Sequence, residues 1–518
     1  MTNANAVSPL PATDNGFFGH PRGLFVCFAT EMWERFSFYG MKFLLLLYLT
    51  KYHLFSDSNG LEVLGSYAAL VYAMPVIGGL LADRYLGMRK AVIFGGVLLV
   101  LGHLGMAMEG EQARVVGDQV VRDEGSLQVF YLSLALIVIG VGFLKPNIST
   151  IVGKLYAQDD PRRDAGFTIF YMGINMGAFA ATLLCGYLGE TFGWRYGFGV
   201  AGIGMLIGLA TFLFGQKYLH GLAEPHNSAT LKQRSPIGLN KEWTIYLCAL
   251  LGVIAVWKML QFHGAVGHTL NLLSLTVLLG LGWFIVVKCN PIERSRMLAL
   301  IILTMSSVVF WALFEQASAS MTLYADRVLD RNILGLEMTA SQFGSLNAFF
   351  IFVFAPLFAW LWIFLGRRGL EPNTPIKFAL GIAQAGLGFG ALVIGAATPN
   401  EAGMVAGYWM VLAYLLHTTG ELCLSPVGLS AVTKLSVPSV VGVMMGAWFL
   451  ATAYSEFVAV QLAKLAAVET VNGTVTDIGA ALASYTALFT NLLYVGLAMA
   501  ALLLLLSPVL KKMMHGIH

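Results

Sequence analysis

The sequence predicts an all-α, polytopic membrane protein with fourteen transmembrane helices. Three observations predict it: composition, the shape of the apolar runs and the placement of basic residues. Of the 518 residues, 57% are hydrophobic and 11% are charged, and the mean hydropathy is +0.74. A soluble protein carries about 25% charged residues, so this little charge cannot cover a water-exposed surface of this size. Most of the surface must face lipid, which calls for spans of roughly 20 apolar residues. Backbone groups in lipid are satisfied only within helices or in a closed barrel. The apolar runs are long and continuous, without the period-2 alternation of a barrel, so helices are expected.

Read against the polar breaks, the helices fall near 24–50, 63–82, 89–108, 128–152, 166–187, 196–216, 243–260, 268–288, 298–325, 341–364, 376–396, 405–435, 440–463 and 480–510. The breaks carry turn chemistry: Ser56-Asp57-Ser58-Asn59-Gly60, Asp159-Asp160-Pro161 and Thr398-Pro399-Asn400. The first 22 residues lack a charged region followed by an apolar one, so no cleaved signal peptide is expected and the first span directs insertion. Gly221 to Asn240 is polar with two prolines and reads as a linker. It separates six helices from two, which precede a final six. The expected domains are therefore 1–220, an N-terminal six-helix bundle; 221–297, the linker and a two-helix insert; and 298–518, a C-terminal six-helix bundle.

An even number of spans puts both termini on one side. That side holds most of the 31 Lys and Arg, among them Arg84, Arg89, Lys90, Arg162, Arg163, Lys232, Arg234, Arg294, Arg296, Arg367, Arg368, Lys511 and Lys512. The positive-inside rule makes it the cytoplasmic side. The net charge of +3 does not suggest nucleic acid as a partner. Cys27, Cys185, Cys248, Cys289 and Cys423 form no CxxC pair and read as small buried hydrophobes, not as a disulfide framework or metal site. With no HExxH, no GxSxG and no metal-spaced His/Cys cluster, an enzyme is not expected and no cofactor or metal is implied.

The informative residues are the charges inside apolar runs. The first span holds Glu31, Glu34, Arg35 and Lys42; Lys145 lies in 128–152, Glu315 in 298–325 and Glu421 in 405–435. Each costs on the order of 3 kcal/mol at a helix centre, about 20 kcal/mol for the seven if unpaired. A folded domain has less than that to spare, so they are expected to share a polar interior. Glu31, Glu34 and Arg35 fall at i, i+3 and i+4 on one helix face, with Tyr39 and Lys42 further along the same stripe. A plain Glu–Arg pair at a helix end would explain Glu31 and Arg35 but not Lys42. Lys258 reads as snorkelling near a helix end; Glu456, also in an apolar run, has no assigned role.

Two resemblances rest on particular residues. Six helices, a central insert and six more, together with Gly78-Gly79-Leu80-Leu81-Ala82-Asp83-Arg84-Tyr85-Leu86-Gly87-Met88-Arg89-Lys90, resemble the major facilitator fold and its cytoplasmic loop signature. There glycines permit close helix contact, and Asp83 and the basic residues are expected to lock helix ends. Glu31-Met32-Trp33-Glu34-Arg35-Phe36-Ser37-Phe38-Tyr39-Gly40 resembles the ExxER motif of the proton-dependent oligopeptide transporter family. Phe170-Tyr171-Met172-Gly173-Ile174-Asn175-Met176-Gly177 resembles its FYxxINxG signature, and Gly420-Glu421-Leu422-Cys423-Leu424-Ser425-Pro426-Val427-Gly428 a third segment. The chain departs from the family pattern where Lys42 replaces a frequent Arg and where Ala178, not Ser, follows Gly177.

The resemblance implies a proton-coupled symporter that imports di- and tripeptides by alternating access. It implies that Arg35 and Lys145 with Tyr39 hold the peptide carboxylate, and that Glu421 with Asn175 and Asn347 holds the amino group. Lys42 and Glu315 would belong to the same site, and Tyr72, Trp311, Phe314 and Trp448 would line side-chain pockets. For the two asparagines, hydrogen bonding between helices stands as the plain alternative, and for the aromatics, packing. Glu31, Glu34 and Arg35 would form the proton site, since crowded carboxylates in a low-dielectric cavity hold a proton more readily. Lys145–Glu421 and Lys42–Glu315 would be gate pairs made across the two halves and broken as access alternates. The proton is the expected coupling ion, and lipid and peptide the expected partners of a monomer. A carrier of another anion or zwitterion, such as nitrate or a peptide-like drug, is the nearest rival; an enzyme, receptor or channel is more distant. The short connection at Thr398–Met404 favours a bacterial inner membrane.

Overall fold

The computed structural model describes residues 16–157, 160–225, 228–235 and 238–517, so the first fifteen residues, Asp159 of the second turn and Pro236 of the linker lie outside it. Among the described residues fourteen long helices dominate: α1 Arg22–Leu47, α2 Asp57–Leu81, α3 Met88–Met106, α4 Glu124–Lys154, α5 Arg163–Phe192, α6 Trp194–Gly215, α7 Lys241–Met259, α8 His263–Lys288, α9 Pro291–Phe314, α10 Ser345–Arg367, α11 Thr374–Ala396, α12 Tyr408–Leu435, α13 Val441–Ala463 and α14 Ile478–Met513. Twelve are long and apolar enough to cross a membrane by length and composition. The other two, α1 and α12, are 26 and 28 residues long. Their apolar runs are interrupted by the α1 charges and by His417–Glu421.

Local chemistry fixes where helices start. Asn290 caps α9 in a capping box: its side chain accepts from Ile292 N at 3.0 Å and Glu293 N at 2.9 Å, while Glu293 accepts from Asn290 N at 3.0 Å. Asn240, Asn373 and Asp477 cap α7, α11 and α14 through one side-chain oxygen each. The run expected as one helix over 298–325 is broken. After Phe314 the chain makes a 3₁₀ turn, Glu315–Ser318, leaves helical geometry at Ala319 (φ −113°, ψ −103°) and resumes as Ser320–Arg327. Polar side chains satisfy the break: Thr322 Oγ1 donates to Ala317 O at 2.7 Å, and Gln316 Nε2 to Ala312 O at 3.2 Å and Ala459 O at 2.8 Å. Three short β-hairpins that the apolar pattern gave no sign of occupy connections: 114–121, 332–337 and 470–475. The last turns on Asn472-Gly473, both at positive φ (51° and 76°), as a two-residue hairpin loop demands.

Contacts divide the chain into two compact units. The first takes the described residues within Met1–Met41, Ala73–Glu111 and Asp123–Gln261; the second those within Lys42–Tyr72, Gln112–Arg122 and Phe262–His518. In the first, α3 packs along α4, where a Cβ on Gly95 would lie 2.6 Å from Gly140 O. Pro146 has no N–H to offer the carbonyl of Gly142 one turn back. Gly78 of α2 fills that gap, for a Cβ there would lie 2.0 Å from Gly142 O. The loop signature closes on the linker and on α7: Arg89 pairs with Glu224 of the linker at 2.5 Å and Lys90 with Glu242 in the first turn of α7 at 2.6 Å. Asp83, expected to lock a helix end, is instead exposed and makes no ion pair among the described residues, because the helix carries it outward at the turn. In the second unit α11 packs along both α12 and α14. Of the cysteines, Cys248 departs from the expected burial: it is exposed on α7, which packs on α4 and leaves its other faces uncovered.

Candidate functional site

The charges of α1 belong to two ion clusters. In the first unit, Arg35 is gripped through Nε and Nη2 by both carboxylate oxygens of Glu34, and Glu31 Oε1 lies 3.5 Å from Arg35 Nε. The guanidinium carbon stands 4.7 Å from the ring centre of Phe38 and 6.0 Å from that of Tyr39, within cation–π range. Glu31, Glu34 and Arg35 are at most 2% exposed, and Glu31 Oε2 is buried with no hydrogen-bond partner among the described residues. Lys145, half-buried in α4 before Pro146, adds a positive charge that acts on Glu31. The glycines of the α5 signature explain why that motif accompanies the α1 motif. A Cβ on Gly177 would lie 2.1 Å from Met32 O, and one on Gly173 would meet Phe28 at 2.9 Å. Only bare backbone lets α5 lie this close to the charged turn of α1.

Lys42, two turns further along α1, belongs to the second unit. Its Nζ donates to Glu315 Oε2 and Glu456 Oε1, each at 2.8 Å, and lies 5.8 Å from the Tyr72 ring. Glu315 occupies the first position of the 3₁₀ turn, so the break in α9 is what aims its carboxylate. Glu456, in mid-α13, is the residue that sequence reasoning left without a role. A carboxylate in the middle of an apolar run was the available signal, the same one that singled out Glu315. With it, the intramembrane carboxylates are five (Glu31, Glu34, Glu315, Glu421, Glu456) against three cations (Arg35, Lys42, Lys145).

Glu421, half-buried in α12, accepts from Asn347 Nδ2 at 3.0 Å, and the same amide donates to Thr418 Oγ1 at 3.1 Å. Asn175 donates instead to Tyr171 O, one turn back in its own helix, at 3.1 Å. Trp311 and Phe314 pack edge to face at 5.4 Å beside the Glu315 turn. Trp448 is buried on Gly428, where a Cβ would lie 2.3 Å from its Cη2, and on Phe378. Lys258 is exposed in the last turn of α7, with Nζ 4.2 Å from the Trp257 ring centre.

A further set of ion pairs had no signal in the apolar pattern because its members lie in the polar breaks. Arg327 holds Asp57 with two 2.5 Å contacts, and both residues are buried. Arg327 also donates to Tyr485 Oη at 3.0 Å, and Val468 N donates to Asp57 at 2.9 Å. Lys51 pairs with Asp326, and Lys464 with Glu62 at 2.5 Å. These tie the α1–α2 connection to the segments around α9, α13 and α14 within the second unit.

Fourteen long helices, twelve of them long and apolar enough to cross a membrane, with ion clusters buried among them, define a polytopic membrane protein of the kind that carries polar solutes. Residues 89–480 match the POT family. The uncharacterized transporter YclF of Bacillus subtilis is 37% identical over 100% of this chain and 99% of its own. The peptide transporter YePEPT of Yersinia enterocolitica is 37% identical over 86% of this chain and 87% of its own. A di-/tripeptide transporter of Lactococcus lactis is 34% identical over 88% and 92%. Among solved structures, a mutant of the peptide transporter POT in complex with sulfate superposes with a TM-score of 0.81 at 36% identity, covering 98% of this chain and 99% of that one. A POT family transporter in complex with 5-aminolevulinic acid does so with a TM-score of 0.80 at 28% identity, covering 98% and 100%. The chain belongs to the POT family and has the major facilitator fold.

Proposed function

We propose that the protein is a proton-coupled symporter that imports di- and tripeptides by alternating access. The observation that carries this reading is the intramembrane charge balance. Five carboxylates stand against three cations: Glu31 and Glu34 with Arg35, Glu315 and Glu456 with Lys42, and, outside these two clusters, Glu421 and Lys145. In a low-dielectric interior an excess carboxylate is unfavourable until it takes up a proton or meets a cation, and a transported proton supplies the first. The relatives named as peptide and di-/tripeptide transporters support the substrate.

In this mechanism a proton arriving at Glu31 or Glu34 loosens their hold on Arg35, which then meets the peptide carboxylate together with Lys145 and Tyr39. Glu421, held by Asn347, takes the amino group, and Asn175 completes that end. Tyr72, Trp311, Phe314 and Trp448 face the variable side chains. Lys42–Glu315, joined by Glu456, and Lys145–Glu421 are the pairs that break and remake as access alternates. The functional halves are 1–220 and 298–518, with 221–297 as the insert. The protein acts as a monomer in a bacterial inner membrane with both termini in the cytoplasm. It catalyses no bond chemistry and needs no cofactor.

The test is counterflow and gradient-driven uptake in vesicles with a small peptide library at two pH values. Wild type accumulates peptide when the outside is acidic. Glu34→Gln keeps counterflow but loses gradient-driven accumulation; intact accumulation by that variant ends the proton role of the cluster. A second reading, a carrier of another small zwitterion, is favoured by the relative in complex with 5-aminolevulinic acid. Failure of unlabelled dialanine to compete for uptake would select it.

A further inference from the structure

Transport leaves a second polar site unused. A cavity of about 210 Å³ opens on the second unit where α2, α8 and α13 converge. Small residues let the helices meet: a Cβ on Gly65 would lie 2.8 Å from Val460 Cγ2, and one on Gly267 2.8 Å from Phe457 Cζ. Around that contact the three helices line the cavity with polar groups. Glu62 and Ser66 come from α2, and His263, His268 and Asn271 from α8; Gln461 comes from α13, with Lys464 just beyond its end. Ser66 Oγ and His263 Nδ1 share a 3.3 Å hydrogen bond, and Lys464 pairs with Glu62. His268, Asn271 and Gln461 are exposed, and their side chains make no hydrogen bond among the described residues.

Polar side chains that face hydrocarbon without a partner are unfavourable, so their convergence on one cavity points to a polar occupant. Successive spans alternate in direction. The start of α2, the start of α8 and the end of α13 therefore share one membrane face, and the cavity begins at headgroup depth. Asn271 lies about 12 Å along α8 from its first residue, deep enough for the glycerol end of a lipid. Beyond it, α8 exposes Leu272, Leu275 and Leu279, a track suited to acyl chains.

The chemistry of the walls selects the occupant. Glu62 and Lys464 cancel, so the site suits a group that carries both signs and no net charge. Glu62 and the amide oxygens of Asn271 and Gln461 accept hydrogen bonds, as an N–H-bearing ammonium requires; Lys464 and the free nitrogen of His263 can donate to phosphate. The volume is below the roughly 300–1,000 Å³ of sites for drug-sized ligands. We propose that this cavity binds the phosphoethanolamine headgroup of a membrane phospholipid, with the ammonium at Glu62 and the phosphate at Lys464 and His263.

The experiment compares the full-length protein, delipidated in detergent, titrated with phosphatidylethanolamine, phosphatidylcholine or soluble glycerophosphoethanolamine, and read by native mass spectrometry and thermal melting. Wild type is expected to retain phosphatidylethanolamine about tenfold better than phosphatidylcholine, whose quaternary nitrogen has no hydrogen to give Glu62. The combined variant His268→Leu, Asn271→Leu, Gln461→Leu places apolar groups where lipid contact favours them, so it folds, and it is expected to lose the preference. Equal retention of the two lipids by wild type overturns the proposal, as does a preference that survives in the variant. Saturation by the soluble headgroup at the affinity of the lipid would assign the cavity to a soluble ligand and overturn the lipid assignment.

Discussion

At Lys42 one ammonium faces two carboxylates, and its donors account for both 2.8 Å contacts. Removing the cation strands two buried carboxylates, whereas removing one carboxylate leaves a matched pair. Breaking a buried pair from one side costs about 3–5 kcal/mol. Lys42→Ala is therefore expected to lower the thermal midpoint in detergent much more than Glu456→Gln, and Glu456→Gln to reduce gradient-driven uptake more than counterflow. Equal midpoints for the two variants would show that Glu456 adds no second charge to the cluster.

Among the elements, the interruption of α9 shows how a polar stretch is stabilised inside a membrane helix. Gln316 spans from Ala312 O of its own helix to Ala459 O of α13 and accepts from Ser320 Oγ at 2.6 Å. Gln316→Leu leaves Ala459 O and Ser320 without this partner. It is expected to destabilise the fold by about 1–3 kcal/mol and to weaken uptake by misplacing Glu315, measured by melting and transport together. The start of α4 has its own sensitivity to acid. Hydrogen bonds from the Ser126 side chain and backbone, and from Glu111 N, hold the Asp123 carboxyl below its usual 3.8. A depressed carboxyl contributes stability above its unfolded value, and that contribution is lost as pH falls through the folded value. The protection of the Ser126 amide against hydrogen exchange, taken relative to the intrinsic rate at each pH, should fall below about pH 4 in wild type, and already be lost at neutral pH in Asp123→Ala.

Across the whole molecule, the three hairpins at 114–121, 332–337 and 470–475 all fall in connections that follow an odd-numbered helix, so the proposed orientation, with all fourteen helices crossing, has them on the face opposite the termini. Single cysteines at Asp118, Leu334 and Asn472, in a background where Cys248 is replaced, are expected to react with an impermeant maleimide added outside intact cells. One at Arg368 is expected to react only after permeabilisation. Labelling of Arg368→Cys in intact cells would reverse the proposed orientation.

Helix number, most helix bounds and the kind of residue that matters were legible in the sequence; the exceptions are α2, which starts at Asp57 and not near 63, and α9, which runs Pro291–Phe314 and not 298–325. They depend on local quantities: twenty apolar residues cross a bilayer, Asn290-Pro291 starts a helix, and an ionised side chain in such a run must find a partner. Three motifs also carried the family. Which partners the charges find was decided by the tertiary structure. The family resemblance paired Lys42 with Glu315, but nothing in the chain order says that Glu456 joins them, and Asp57 and Arg327 lie in polar breaks where charge is unremarkable. The break at Ala319 was hidden because a 3₁₀ turn satisfied by Gln316 and Thr322 has the same apolar content as a helix. The sequence by itself determined that these charges must find partners away from lipid, because desolvation demands it. Helix periodicity already placed Glu31 and Glu34 beside Arg35, but only the packing of helices distant along the chain decided that Lys42 meets a second carboxylate, Glu456, because pairing between helices depends on distances of a few ångströms that periodicity does not set.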